Sequence, residues 1–397
     1  MMKKIFMAAF AASMSLCAMA GNEPFLTKVY DFMPAPGQFV NSIPQAKAGD
    51  TKADMLARVE EAICGRYEVE DWGDTTMVYK PGLVSLGSYG GYVVVGFDHP
   101  VVNVKGDYDF QIFGNAFMAT GSTTGGSSEP GIVMVSYDAN GNGIPDDPWY
   151  ELAGSEYNSP KTQHNYTITY YKPDENKVKT PDPNNKSIID LTYVRWTSND
   201  VNPDSVGGYV YKNSFHAQSY WPQWAEGETL TFTGAKLCSN ATDQSGNGTY
   251  WVQQCKEWGY VDNRPDYDPY SHQDDTSLMN LGFKIDWAVD ADGVPVHLPM
   301  VHFIKVYNGI NQYCGWLGET STEVAGGVDF HPQTAAPEVL KGDVDANGTV
   351  DVSDVTVITN MILGHKQQGY NPVAVDMNGD SAIDVSDVTS IINTILE

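Results

Sequence analysis

The sequence predicts a mainly β protein, an antiparallel β-sandwich or jelly roll, that ends in a small α-helical module. Two observations predict it. From about residue 66 to residue 330, short runs rich in Val, Tyr, Thr and Phe alternate with Gly, Asn, Asp and Pro. That is the pattern of many short strands joined by turns. From Asp343 onward, two Asp/Asn-rich runs each lead into apolar residues at helical spacing.

The chain opens with Met1-Met2-Lys3-Lys4, an apolar run from Ile5 to Leu16, and Ala18-Met19-Ala20. A basic start, a short apolar core and small residues at the end make residues 1–20 a signal peptide. The run is too short and wrongly flanked for a membrane anchor. Cys17 raises lipid attachment, but Leu16 before it is not small, and simple export is the favoured expectation. No later apolar stretch reaches the roughly 18 residues of a transmembrane segment. The expected location is therefore extracellular or at the cell surface.

Residues 22–53 read as irregular. Asp54 to Gly65 places Met55, Val59, Ala62 and Ile63 on one helical face, with Gly65 as the stop. Strands are expected at 91–97, 108–113, 132–137, 166–170, 229–232, 250–252, 283–289 and 301–307. Two long loops interrupt them, at about 173–190 and 259–275. The second is acidic and aromatic and reads either as a binding loop or as a solvated crossover. The expected division is a β-sandwich ligand-binding domain over 21–330, a linker over 331–341 and the helical module over 342–397.

The chain has 397 residues, with 50 acidic against 23 basic and a formal net charge of −27. Losing Lys3 and Lys4 makes the balance more acidic still. Nucleic acid and anionic membrane are poor partners for such a surface, and no nucleic-acid partner is expected. Cys64, Cys238, Cys255 and Cys314 lie beyond the signal peptide. In an exported chain an even count permits disulfides, with Cys238 pairing to Cys255 as the expectation and buried free thiols as the alternative.

The two C-terminal runs carry the most specific signal. Asp343, Asp345, Asn347, Thr349, Asp351 and Asp354 occupy the ligand positions of a calcium loop. Asp376, Asn378, Asp380, Ala382, Asp384 and Asp387 repeat them. Ca²⁺ takes six to eight oxygens, and this spacing wraps a short loop around one ion. Val355, Ile358 and Ile362 follow the first loop, and Val388, Ile391, Ile392 and Ile395 the second. The duplicated unit over 342–397 resembles a type I dockerin. That resemblance implies folding by Ca²⁺ and a cohesin-like protein partner. The unit has Asp rather than Glu at the twelfth position, and Ser381 where a sharp-turn Gly is expected. Val352-Ser353 and Val385-Ser386 recur without specifying which partner. A third run, with Asp138, Asn140, Asn142 and Asp146, lacks the twelfth-position acid, since Trp149 stands there. It reads as a calcium site completed by Asp146, Asp147 or Glu151, or as a plain hairpin turn. Asp290-Ala-Asp292-Gly293 reads as a turn.

Aromatic residues supply the expected ligand site: Tyr220, Trp221, Trp224, Trp258, Tyr267, Tyr270 and Trp316. Flat rings stack on sugar faces or on a large planar molecule, and Tyr220-Trp221-Pro-Gln-Trp224 is the leading group. HExxH, nucleophile-elbow, Walker and CxxC motifs are lacking, so a binder is expected rather than an enzyme. A carboxylate pair of the glycosidase kind is invisible in sequence, and Glu129, Glu151, Glu226 and Glu257 are its unranked candidates. Gly90 to Phe97, Asp109 to Phe117, Ser128-Glu129-Pro130, Trp149 to Gly154, Ile285 to Gly293 and Gly315 to Thr320 resemble a group of bacterial cell-surface proteins with a jelly-roll domain. Relatives of that group appear among surface proteins of cobalamin (corrinoid) uptake systems. The resemblance implies a small-molecule nutrient as ligand, a corrinoid first. A glycan is the alternative, either held by a carbohydrate-binding protein or cut by a dockerin-borne glycoside hydrolase.

Overall fold

The computed structural model describes residues 22–65, 82–266, 282–380 and 382–397, with backbone alone over 68–72 and 75–79. The signal peptide, Tyr267, Tyr270 and Ser381 lie outside the described residues.

A six-stranded antiparallel sheet forms the centre. Its order is Lys28–Met33, Tyr92–Gly96, Phe303–Asn308, Gly131–Ser136, Trp149–Leu152 and Ala288–Val289. Alternate side chains leave a strand on opposite faces. Here both faces are covered, so the inner strands are mostly apolar on both sides, with Lys305 and Glu151 as exceptions. Val133 and Val135 point into one core with Val93, Val95, Ile304 and Val306. Ile132 and Tyr307 point into the other.

The first core is closed by the helix Lys52–Ile63, which buries Met55, Val59 and Ile63. Each such side chain contributes about 1.5–3 kcal/mol. Thr51 starts the helix through a capping box with Asp54: Thr51 N–H donates to Asp54 Oδ2 at 2.8 Å, and Asp54 N–H to Thr51 Oγ1 at 3.2 Å. The second core is closed by a four-stranded sheet ordered Gly207–Asn213, Ile188–Ser198, Gln163–Tyr171 and Thr229–Lys236. Tyr166, Ile168 and Tyr170 alternate inward along it. The expected antiparallel sandwich is thus formed. A further four-stranded sheet, ordered Ala241–Asp243, Trp251–Gln254, Gly125–Ser127 and Phe117–Met118, stands at one end.

Three expectations need correction. The strand expected at 283–289 is interrupted by a 3₁₀ turn, Ile285–Trp287, between the bridge of Phe283 to Phe110 and the short strand Ala288–Val289. Ile285, at 0 % exposure, is held by its N–H donating to Asp109 Oδ2 at 2.7 Å. The loop expected at about 173–190 ends at Ser187, where the unexpected strand Ile188–Ser198 begins; its alternation is broken by the buried Asp190 and by the register shifts on either side of it. Cys238 and Cys255 are not bonded to each other. The Lys256 ammonium lies 3.1 Å from Cys238 Sγ, whereas Cys255 Sγ lies 4.0 Å from Met118 Sδ.

At the C-terminus, the helices Val352–Ile362 and Val385–Leu396 enclose a small core of Val344, Ile358, Val375 and Ile391. Its connecting segment is packed against the β-sheets. Tyr370 bridges to Val296, and its hydroxyl donates to Asp290 Oδ2 at 3.2 Å. Val373 joins the first core. The 290–293 run is a turn, as expected, and it receives Tyr370. Among the described residues, no helix is long and apolar enough to cross a membrane.

Candidate functional site

In the first C-terminal loop the ligand positions converge. Ligand oxygens of Asp343, Asp345 and Asp354 all lie within 4.8 Å of one another. Asp343 takes the N–H groups of Asn347 at 3.0 Å and Gly348 at 2.9 Å, which curls the loop around its own carboxylates. Gly348 has φ 89°, a conformation that suits glycine. Asp351 and Asp354 are also the N-cap and third residue of the helix that follows. Loop and helix therefore share their anchoring groups. Asp354, fully buried, has N–H donors on both oxygens: Val344 on Oδ1 and Asp351 on Oδ2.

The second loop repeats the arrangement at Asp384 and Asp387. Met377 N–H donates to Asp387 Oδ1 at 2.9 Å and Asp384 N–H to Oδ2 at 3.0 Å. Asp376 is met one residue earlier in its loop, by Gly379 N–H at 2.7 Å. Asn378 replaces a carboxylate at the third position. The donor sets of both loops are all oxygen, with Thr349 and Ala382 placed to offer carbonyls, and they fit Ca²⁺.

The 138–147 run makes the same backbone pattern. Asp138 accepts from Asn142 N–H at 3.1 Å and Gly143 N–H at 2.8 Å, as Asp343 does from Asn347 and Gly348. Asn140 Oδ1 accepts from Asn142 N–H, and Asn142 Oδ1 from Ile144 N–H. Asp146 takes the side-chain amides of Asn140 and Asn142 at 3.1–3.3 Å. Asp147 accepts the Ala139 N–H at 3.2 Å, the role Asp354 plays for Val344.

The aromatic site predicted from sequence is corrected. Tyr220, Trp221 and Trp224 are 0 %, 3 % and 8 % exposed. Tyr220 and Trp221 belong to the second core and Trp224 to the first, so none presents a face to a ligand. Proline between the two Trp residues separates them into two cores rather than exposing them. Trp258 packs on Trp287 with ring centroids 4.6 Å apart. Trp316 alone of the described members opens onto a cavity.

That cavity, of about 840 Å³, lies between the end sheet and the 314–323 segment. Phe117, Phe215, Tyr250 and Trp316 stand at its mouth, 63 %, 60 %, 52 % and 36 % exposed. Phe215 and Trp316 meet edge to face at 6.1 Å. Its floor is acidic: Glu129 after the strand Gly125–Ser127, Glu319 after the 3₁₀ turn Gly315–Leu317, and Glu323 at the start of the strand Glu323–Val324. Asp262 lies directly behind, accepting the N–H of Glu323 at 2.9 Å and of Asn115 at 2.8 Å. Gly114 and Gly37 make this packing possible. A Cβ at Gly114 would lie 2.6 Å from Asp262 Oδ1, and one at Gly37 2.7 Å from Glu319 Oε1.

Burial pushes the Glu129 carboxyl up to about 7, and the donors around it reverse this only in part. Burial pushes Glu319 up to about 8. Glu323 and Asp262 are raised well above the carboxylate range by burial and then by the charge of Glu129.

Of the four candidate carboxylates read from sequence, only Glu129 reaches this cavity. Glu151 is held in the strand Trp149–Leu152, pushed up to about 7 by burial, while Glu226 and Glu257 are exposed or nearly so. Sequence reading missed Glu319 and Glu323. Their signal is the Gly318-Glu-Thr-Ser-Thr-Glu323 run, whose first half falls within the segment Gly315 to Thr320 of the jelly-roll resemblance.

No curated protein matches the chain. Residues 341–396, with both loops and both helices, match the dockerin type I domain family, and this C-terminal segment is a calcium-binding module of that kind.

Proposed function

We propose that the β-sheets capture an extracellular nutrient in the acid-floored cavity, while the dockerin module holds the protein to a cohesin-like partner. The observation that carries the reading is the cavity mouth, where four aromatic side chains stand exposed around an opening of ligand size. Export by the 1–20 signal peptide and a location outside the cell agree with a dockerin module. The 138–147 run is part of the same reading: Asp138, Asn140, Asn142 and Asp146 form a third calcium loop, supported by backbone geometry shared with the first.

A corrinoid is the first ligand class. It is a large flat ring with amide arms, which suits apolar faces at the mouth and carboxyl groups below. A glycan is the second, favoured by the pairing of an aromatic cleft with a dockerin module. Thermal shift of the mature protein against corrinoids and glycans decides between them. A ligand at a hundredfold its Kd stabilises the native state by about 2.7 kcal/mol. The shift should shrink in Trp316→Ala and Tyr250→Ala. No shift with either class, or a shift indifferent to both substitutions, overturns the reading.

A further inference from the structure

The cavity floor gathers carboxyl groups that no neighbouring cationic side chain meets. Ligand oxygens of Glu129, Asp262 and Glu323 lie within 4.8 Å of one another. Asp262 and Glu323 are 2 % and 4 % exposed. Among the described residues, no Lys, Arg or His forms an ion pair with any of the three or with Glu319. Buried charges need a partner, since removing a carboxylate from water without one costs several kcal/mol.

The hydrogen bonds from N–H and O–H donors outside the cluster are neutral and partly long. Glu129 is met by Ser321 N–H at 3.4 Å, Gln253 Nε2 at 3.5 Å and Ser127 Oγ at 3.4 Å. Glu323 Oε1 accepts from Ser321 Oγ at 2.8 Å. A separate observation points to a ligand. Glu319 is 6 % exposed and lines the same cavity. Its Oε1 accepts the Gln38 N–H at 2.5 Å, but its Oε2 is buried with no hydrogen-bond partner among the described residues.

We propose that Glu129, Asp262 and Glu323 form a divalent-cation site for Ca²⁺ at the floor of the cavity that Glu319 also lines. It goes beyond the dockerin loops and stands whichever nutrient the cavity takes. Calcium binds oxygen at about 2.4 Å, so two of its ligands are never more than about 4.8 Å apart. The three carboxylates meet that limit as they stand. The donors are all oxygen, with neither imidazole nor thiolate, which disfavours zinc. The open side toward the cavity leaves positions for water or for a ligand oxygen.

The test uses the full mature chain with its calcium loops silenced by Asp138→Ala, Asp343→Ala and Asp376→Ala. Equilibrium dialysis should find one equivalent of Ca²⁺ retained. Adding Glu129→Gln or Glu323→Gln, each close in shape, should remove it while near-UV circular dichroism is unchanged. Terbium emission excited through tryptophan and displaced by Ca²⁺ reads the site in the loop-silenced chain without altering the cluster, so a misfolded Gln variant does not block the test. A loop-silenced chain that binds no Ca²⁺ and sensitises no terbium overturns the proposal and leaves the carboxyls sharing protons. So does retention of the equivalent in both folded Gln variants.

Discussion

The Asp354 carboxylate accepts the Val344 N–H at 2.6 Å, tying the last position of the first calcium loop to its second. Asp354 is fully buried and is also the third residue of the helix Val352–Ile362. One side chain thus closes the loop and caps the helix. Metal binding and helix formation are coupled through it.

Chelation should therefore unfold the module. Removing Ca²⁺ leaves Asp343, Asp345 and Asp354 facing one another within 4.8 Å, without the ion that offsets their repulsion. Far-UV circular dichroism of the mature protein should lose the helical contribution of Val352–Ile362 and Val385–Leu396 in excess chelator, keeping that of Lys52–Ile63, and recover it on adding Ca²⁺. Unchanged helicity in excess chelator contradicts the coupling.

The two loops should differ in affinity. Each loop carries four carboxylates, but the first has Gly348 at the sharp-turn position where the second has Ser381, and a side chain there strains the turn. Calorimetric titration should resolve a tighter and a weaker event from the module. Asp343→Ala should abolish the tighter one and Asp376→Ala the weaker one.

Core and mouth aromatics should respond oppositely. Trp221→Ala opens a cavity in the second core and should cost about 3–5 kcal/mol of stability. Trp316→Ala should leave the melting temperature nearly unchanged and weaken ligand binding by about 1–2 kcal/mol. Chemical denaturation of both variants, alongside binding, separates the two effects.

His99 should make stability depend on pH. Burial alone would lower its pKa, but hydrogen bonds to Asp329 at 2.9 Å and Asp98 at 2.5 Å outweigh burial and raise it. A raised folded value means that the contribution is fully present below the ordinary histidine range. It is lost as pH rises through the folded value. Denaturation midpoints should fall over that interval in the native protein and stay flatter in His99→Gln.

Reductant should leave the melting temperature unchanged if Cys238 and Cys255 are thiols, as their separate neighbours Lys256 and Met118 indicate. A drop of several degrees on reduction would restore the disulfide expected from sequence.

Local patterns survived translation into structure best. The calcium loops, their helices and the helix Lys52–Ile63 depend on residues a few positions apart, so spacing alone announced them. The apolar strands at 92–96, 131–136 and 303–308 were visible because both faces of the central sheet are covered. The strand Ile188–Ser198 was not, because the buried Asp190 and the register shifts on either side of it interrupt the alternation.

What the sequence determined by itself was therefore the β class, the punctuation between strands and the metal loops, all written in short-range order. The tertiary structure alone decided which aromatics are buried and which carboxylates meet. Trp221 and Trp316 look alike in sequence, and only packing places one in a core and the other at a cavity mouth. Glu129, Asp262 and Glu323 come from three distant segments, and their approach depends on long-range strand pairing and on the absence of a Cβ at Gly114. Burial and convergence are properties of the folded whole, and no spacing rule along the chain encodes them.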